Sequence, residues 1–359
     1  MDFIADYLAW VAKTRAPKAF HLWSALSLLS AWSRKRVWTT LGSMRLWPNV
    51  YVVFSAPSGL GKTTAMHYAR WLLGDLPVSP DNISGWQAMI AFTQKNASPQ
   101  LVPGLGEITI HQLVIWVDEL TTFLLEDKLY KTTILRVYDA DDRHAYFRIK
   151  GGSLELSWPY FTLQAGATPE SLRDIFSVSD MRQGLAARIF WVHSDGPNPP
   201  DAELNPKMDS ALQARLQEHL QNLPTGFIDL GPMFERTWKK LAKEETDFPE
   251  YNARRPSHLV KIALLRALSL GARTLNEPHL EWANLQLFDI EENMGRVFGG
   301  YGESKPAAVR WRMLRSLKLH PLTRRELMRV FQFDVKDTRE LDSHLSYLQE
   351  ARLSAEVRE

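Results

Sequence analysis

Residues 50–64, VYVVFSAPSGLGKTT, constrain this chain more than any other stretch. A short apolar run, Val50 to Phe54, leads into a loop of small residues. Gly61-Lys62-Thr63 follows, and then a helix-forming segment with Ala65, Met66, Ala69, Leu72 and Leu73 at helical spacing. Such a pattern commits the chain to a strand, a tight loop and a helix whose N-terminus faces that loop. The N–H groups of the loop and the helix dipole then converge on one point, which favours phosphate. Lys62 would reach the β- and γ-phosphates and Thr63 would hold Mg²⁺. The stretch therefore reads as a nucleoside triphosphate site, with ATP as the ligand and Ser58, Gly59, Gly61, Lys62, Thr63 and Thr64 as its cradle. It departs once from G-x-x-x-x-G-K-[ST]: Ala56 stands where the first glycine is expected.

The 359 residues leave room for two or three domains. The chain is 45% apolar and 23% charged, a globular balance. It has no cysteine, which excludes disulfides, thiolate zinc sites and cysteine nucleophiles and makes a reducing cytoplasm the expected location. The N-terminus carries acids at once and its apolar run is too short to span a membrane, so no membrane association is expected. A net charge of +2 does not demand nucleic acid, so a DNA site would have to be a local patch.

Residues 1–42 read as helical with a break at Ala16-Pro17, and residues 20–34 are apolar nearly all round, as in a buried helix. Residues 43–195 alternate apolar runs with helical patterns, the mark of an α/β layer with a parallel sheet. Residues 195–206, DGPNPPDAELNP, form the clearest linker. The chain beyond reads as helical, a linker and helical segment over 196–304 and a smaller unit over 305–359.

The run Leu113 to Val117 predicts a strand buried on both faces, with Asp118-Glu119 at its C-terminal end, where open α/β sheets place ligands. Asp118 would complete the Mg²⁺ shell with Thr63, and Glu119 would orient and polarise the attacking water. A third run, WPYFTLQAGATPESL, ends at Thr168, a candidate contact for the γ-phosphate or the lytic water, with Gln164 as second choice; Thr168 reads equally well as a helix N-cap. Arg188 precedes a fourth apolar run, Ile189 to Val192, and could reach a neighbouring subunit's γ-phosphate as an arginine finger, with Arg182 as the alternate. Alternation on both sides of Gly151-Gly152 predicts a hairpin. Arg148 and Lys150 at its tip either meet a nucleic-acid backbone in the pore of a ring or form the basic ends of a solvated hairpin.

Four elements in this order resemble an AAA+ ATPase. More narrowly, APKAFHLWSALSLLS, SAPSGLGKTT, LRVYDADDR, AGATPESL and GLAARIFWVH resemble the prophage and mobile-element replication ATPases of the YfjI type. The chain is also similar to the helicase branch that includes minichromosome-maintenance and viral superfamily-three helicases. The resemblance implies an AAA+ core over 43–195, an N-terminal helical segment over 1–42 and a helical lid within 196–304. It implies catalytic roles for Lys62, Asp118, Glu119, Thr168 and Arg188, and a homo-oligomer, a hexameric ring acting on DNA. Many relatives carry a primase domain ahead of the ATPase. Here the chain starts almost directly at the ATPase, so no primase activity is expected of it, and any primase would act in trans.

In the helical half, YNARRPSHLVKIALLRALSLGAR predicts a buried lid helix. Arg255 at its start is a candidate γ-phosphate contact, or one of a surface pair with Arg254. In 305–359, Thr323-x-x-Glu326 is a capping box and Asp337-x-x-Glu340 a second cap, and Leu341, Leu345 and Leu348 recur at helical spacing. Three short helices and a strand-like tail over 353–358 read as a winged helix-turn-helix. Arg324 and Arg325 are its candidate DNA contacts, beside Arg329, Lys336 and Arg339; the alternative is a protein-contact module. The leading expectation is a replicative helicase of a phage or mobile element. The alternatives are an ATP-switched initiator or helicase loader, and a signalling or defence ATPase.

Overall fold

The computed structural model describes residues 1–80, 85–124, 128–139, 142–148, 152–176, 184–196, 199, 201–244, 246, 248–298, 309, 313, 316–317, 322–331, 335 and 337–350. The chain divides into two compact units, Met1–Val297 and Phe298–Glu359.

The first unit begins with helices α1 (Phe3–Trp10) and α2 (Lys18–Ser33) and a hairpin of β1 (Val37–Leu41) and β2 (Met44–Leu46). Then come β3 (Tyr51–Ser55), α3 (Lys62–Arg70), α4 (Trp86–Lys95), β4 (Ser98–Val102), β5 (Gly106–Val117), α5 (Leu120–Leu124) and α6 (Lys128–Tyr138). A second hairpin, β6 (Arg143–Arg148) and β7 (Gly152–Ser157), precedes β8 (Pro159–Ala167), α7 (Pro169–Ile175) and β9 (Ile189–His193). The helical half holds α8 (Ser210–Gln221), the short strands β10 (Gly226–Phe227) and β11 (Asp229–Leu230), α9 (Phe234–Leu241), α10 (Pro249–Asn252), α11 (Arg255–Ser269), β12 (Thr274–Leu275) and α12 (Glu277–Phe298).

The central sheet has the order β4-β5-β8-β3-β9. Strands β5, β8, β3 and β9 run parallel, and β4 pairs antiparallel with the first half of β5. Beside the buried half of β5 runs a short parallel bridge at Val78. Every residue of β3 and β8 is buried, as a parallel sheet covered on both faces requires. On one face lies α2: Phe20 stacks on Phe54 at 4.6 Å and Trp23 meets Phe190 at 5.1 Å. On the other lies α6, whose Ile134 carbonyl accepts a hydrogen bond from the Tyr51 hydroxyl at 2.9 Å.

The expectation of an all-helical 1–42 needs correction, because Val37–Leu41 is a strand. It pairs with β2 and, in parallel, with β10 of the helical half. Three β-favouring residues, Val37, Trp38 and Thr39, follow the left-handed turn at Arg34 and Lys35 that ends α2. Nor is α2 an appendage: it is a layer of the core, and its serines hydrogen-bond to the sheet. Ser30 accepts from the Val50 amide at 3.1 Å, and Ser24 accepts from Gln164 at 2.7 Å.

In the second unit, α13 (Arg324–Val330) and α14 (Thr338–Glu350) pack around Leu327, Phe331, Leu341, Leu345 and Leu348, with Val309 and Met313 in the same cluster. Thr323 and Glu326 form the reciprocal capping box, and Asp337 caps α14 through the Glu340 amide. The proposed wing, 353–358, lies outside the described residues. No helix among the described residues is long and apolar enough to cross a membrane.

Candidate functional site

The C-terminal end of β3 opens into the loop Ala56–Gly61, and α3 starts at Lys62. Gly59 and Gly61 carry φ of +85° and +72°, a region that costs other residues strain. Ala56 has no such φ and is fully buried, so the missing first glycine costs the loop no backbone strain. Gly61 is needed for space as well. A Cβ there would lie 2.7 Å from the Arg15 carbonyl oxygen and 2.8 Å from the Ala16 Cα, because the turn between α1 and α2 crosses the loop. Pro57, Ser58, Gly59 and Thr63 are exposed, and Thr64 is half-buried.

The half-buried Lys62 amine donates to the carbonyls of Ala56, at 2.6 Å, and Pro57, at 3.1 Å. It is therefore folded back onto its own loop. Burial lowers its pKa, against the opposing pull of Glu119 and Glu170.

Asp118 and Glu119 stand between the end of β5 and the start of α5, as the apolar run predicts. Strand β8 lies between them and β3, and Gly166 near its end is the meeting point. A Cβ on Gly166 would fall 2.4 Å from the Asp118 carbonyl oxygen and 3.8 Å from the Lys62 Cβ. Asp118 is exposed and makes no hydrogen bond or ion pair among the described residues. The Oε1 of Glu119 accepts from Thr121 and from Ser171, each at 3.1 Å, which fixes the carboxylate and leaves Oε2 without a hydrogen bond among the described residues.

Thr168 is the N-cap of α7: its hydroxyl accepts from the Ser171 amide at 3.1 Å, and the Ser171 hydroxyl accepts from the Thr168 amide at 3.0 Å. Ser171 thus joins that cap to Glu119. The run T-P-E-S carries the capping signal, but nothing in it points Ser171 at an acid some fifty positions earlier. Gln164, the second choice, faces away: it is fully buried and bonded to Ser24 of α2.

Two arginines are engaged elsewhere. Arg188 is nearly buried, its side chain 10% exposed, and donates to Asp139 Oδ2 at 2.7 Å and to the Gly184 carbonyl at 2.9 Å. It ties the start of β9 to the end of α6 within its own chain. Arg255 is fully buried and bonds Glu291, Glu244, Asn284 and the Leu241 carbonyl at 2.7–2.9 Å. With four of about five donors spent, it pins α11 to α9 and α12 and has no free fork to offer a phosphate. This corrects both the surface-pair and the phosphate-contact readings. Arg182 and Lys150 lie outside the described residues. Arg148 stands on β6 opposite Gly152 of β7. In the second unit Arg325 is exposed, while Arg324 pairs with Asp342 of α14.

The donor set suits Mg²⁺. Thr63 and Asp118 offer one hydroxyl and one carboxylate, both exposed, and a hard cation with few protein ligands is completed by phosphate oxygens and water. No family model matches the chain, and no curated protein matches it either.

Proposed function

We propose that this chain is an ATP-hydrolysing motor of the AAA+ class that assembles as a ring and acts on DNA, as a replicative helicase of a phage or mobile element. One observation carries the ATPase part of this reading. Lys62, at the start of α3, and Asp118, just past the end of β5, flank the single glycine Gly166. With β8 between them, the axes of β3 and β5 are about 10 Å apart, which leaves room for a γ-phosphate and a water between Lys62 and Glu119. In this arrangement Lys62 would leave the Ala56 and Pro57 carbonyls for the β- and γ-phosphates, and the loop amides would hold their remaining oxygens. Thr63 and Asp118 would hold Mg²⁺, which supplies charge neutralisation at the phosphate oxygens. Glu119, held through Oε1 by Ser171 and Thr121, would keep Oε2 for the attacking water.

The ring and DNA parts rest on the resemblance and on the β6–β7 hairpin that immediately precedes β8. In the isolated chain Arg188 serves Asp139, so a finger role in a ring requires that pair to open. The C-terminal unit keeps a further reading in play, a signalling or defence ATPase whose C-terminal unit is an interaction module. Its α14 carries Arg339 beside Glu340 and Asp342, and Asp342 takes up Arg324, a charge balance suited to a protein partner as much as to phosphates.

The test is hydrolysis, assembly and strand displacement with and without forked DNA, with Lys62→Ala as the inactive control. DNA-stimulated hydrolysis with strand displacement is the expected result. ATP-dependent assembly without displacement would move the assignment to a loader, and hydrolysis indifferent to DNA would remove DNA from it. Mixing Lys62→Ala with Arg188→Ala tests the ring: recovered hydrolysis in the mixture requires that one subunit completes another's site.

A further inference from the structure

At the opposite end of β3 lies a cavity of about 870 Å³, within the range of small-molecule sites. Three segments distant in sequence build it: the β1–β2 hairpin with the chain to Asn49, the end of α6, and the residues around the start of α11. Trp47 and Tyr138 give it aromatic wall, and Lys261 and Arg254 give it charge.

The polar groups of this cavity are unbalanced in one direction. The amine of Lys261 is 3% exposed and donates to the Asn49 carbonyl at 2.9 Å and the Asn49 side-chain oxygen at 2.6 Å. It also lies 4.0 Å from the centre of the Tyr138 ring. Among the described residues no carboxylate comes within 4.0 Å of it, so its hydrogen bonds are to the oxygens of Asn49 alone, and Asp139 acts on it only from farther off. Burial pulls it down to about 7. The Tyr138 hydroxyl is buried as well and has no hydrogen-bond partner among the described residues.

The acids nearby are already spent. Asp139 gives Oδ2 to Arg188 at 2.7 Å and Oδ1 to Arg254 at 2.8 Å. Burial alone would raise its carboxyl, but Arg188, Arg254 and Lys261 hold it below its ordinary range. Asp142 faces Arg45 at 3.7 Å. Arg45, Arg188, Arg254 and Lys261 thus outnumber Asp139 and Asp142. A buried amine with no carboxylate in contact and an unmatched hydroxyl donor at one cavity both call for an anionic oxygen, which would also hold the proton on Lys261.

We propose that this cavity binds a small organic anion, a carboxylate or phosphate monoester on an apolar or aromatic body, with the anionic group on Lys261 and the Tyr138 hydroxyl, Arg254 beside it, and the body against Trp47. The site is independent of the phosphate loop, and the test keeps the two apart by using full-length Lys62→Ala protein. Benzoate, phenyl phosphate and benzyl alcohol serve as probes, read by ligand-observed saturation-transfer NMR and by the thermal midpoint. Benzoate, phenyl phosphate or both should bind and raise the midpoint, and benzyl alcohol should not. Which anion prevails separates a carboxylate from a phosphate ester. Lys261→Met should weaken the anion about tenfold or more, the scale of one charge-assisted hydrogen bond. Tyr138→Phe keeps the ring over Lys261 and should weaken it by a smaller factor, which covers the case in which Lys261→Met does not fold. Binding of benzyl alcohol as tight as that of benzoate, affinity unchanged in the folded variants, or no binding of either anion at millimolar concentration would each overturn the assignment.

Discussion

Two lysines sit at opposite ends of β3, and each amine rests on oxygens of the residues flanking that strand. Lys62, at the C-terminal end, is bonded to the Ala56 and Pro57 carbonyls; Lys261, at the N-terminal end, is bonded to Asn49. The first is half-buried in an exposed loop and has a helix N-terminus beneath it. The second is sealed between α11, Tyr138 and Asn49, and arginines occupy the nearest acid. The same chemical group is therefore poised for exchange at one end and locked at the other. The difference lies in what surrounds each amine: a loop bent by two left-handed glycines at the top, and at the foot buried side chains that leave the Tyr138 hydroxyl without a partner among the described residues.

The largest effect expected from breaking this contrast is at the top. Lys62→Ala should cut ATP hydrolysis by about a hundredfold or more, as loss of a charged phosphate contact does, while stability moves by less than about 0.5 kcal/mol, since the variant also removes a desolvated amine. Glu119→Gln should retain ATP and lose hydrolysis to a similar degree, because the amide keeps the Ser171 and Thr121 contacts without the base. A Glu119→Gln enzyme that turns over normally would remove the water-polarising role from that residue.

Gly166→Ala comes next. The added methyl would lie 2.4 Å from a backbone oxygen, that of Asp118, so the ends of β5 and β8 must part. We expect a loss of about 2–3 kcal/mol in chemical denaturation, accompanied by weaker hydrolysis as Asp118 and Glu119 move from Lys62. Normal stability in this variant would show that the two strand ends are looser than the geometry indicates.

How much of this could be read from the chain depends on how far apart the cooperating residues lie. The strand, loop and helix of the proposed phosphate site run without a break from Tyr51 to Arg70, and β5 with its acid pair is another unbroken run, so local periodicity sufficed. The hairpin at Gly152 and the caps at Thr168, Thr323 and Asp337 were readable for the same reason. Arg188 and Arg255 were not. Position marked them as arginines at element ends, but Asp139, Glu244, Asn284 and Glu291 reach them from remote segments, and no spacing rule reveals that. The buried helix α2 was visible as a pattern, yet its place against Phe54, Phe190 and Gln164 depended on the sheet order. The cavity at the foot of β3 is the extreme case, since it draws on three separate stretches with no motif in any of them.

The smallest of these effects tests the locked end through pH. Lys261 is pulled down to about 7 by burial, with Asp139 opposing and Arg254 and Arg188 reinforcing the fall. Its ordinary value is 10.5, so between these limits the unfolded chain holds a proton on Lys261 that the folded chain has released. Stability contributed through this group therefore rises with pH across that window and is lowest below about 7, where both states are charged. Its titrating neighbours do not reverse the trend: Asp139 is held below its ordinary range, Tyr138 is raised by burial, and buried His258, pulled down to about 3, stays neutral. Lys261→Met removes the term. From pH 7 to 9 the wild-type protein should gain about 2 kcal/mol relative to that variant in urea denaturation. Parallel pH profiles would mean that the Lys261 amine keeps its proton in the fold, and that Asn49, Tyr138 and the more distant Asp139 hold a full charge as securely as the Ala56 and Pro57 carbonyls hold Lys62.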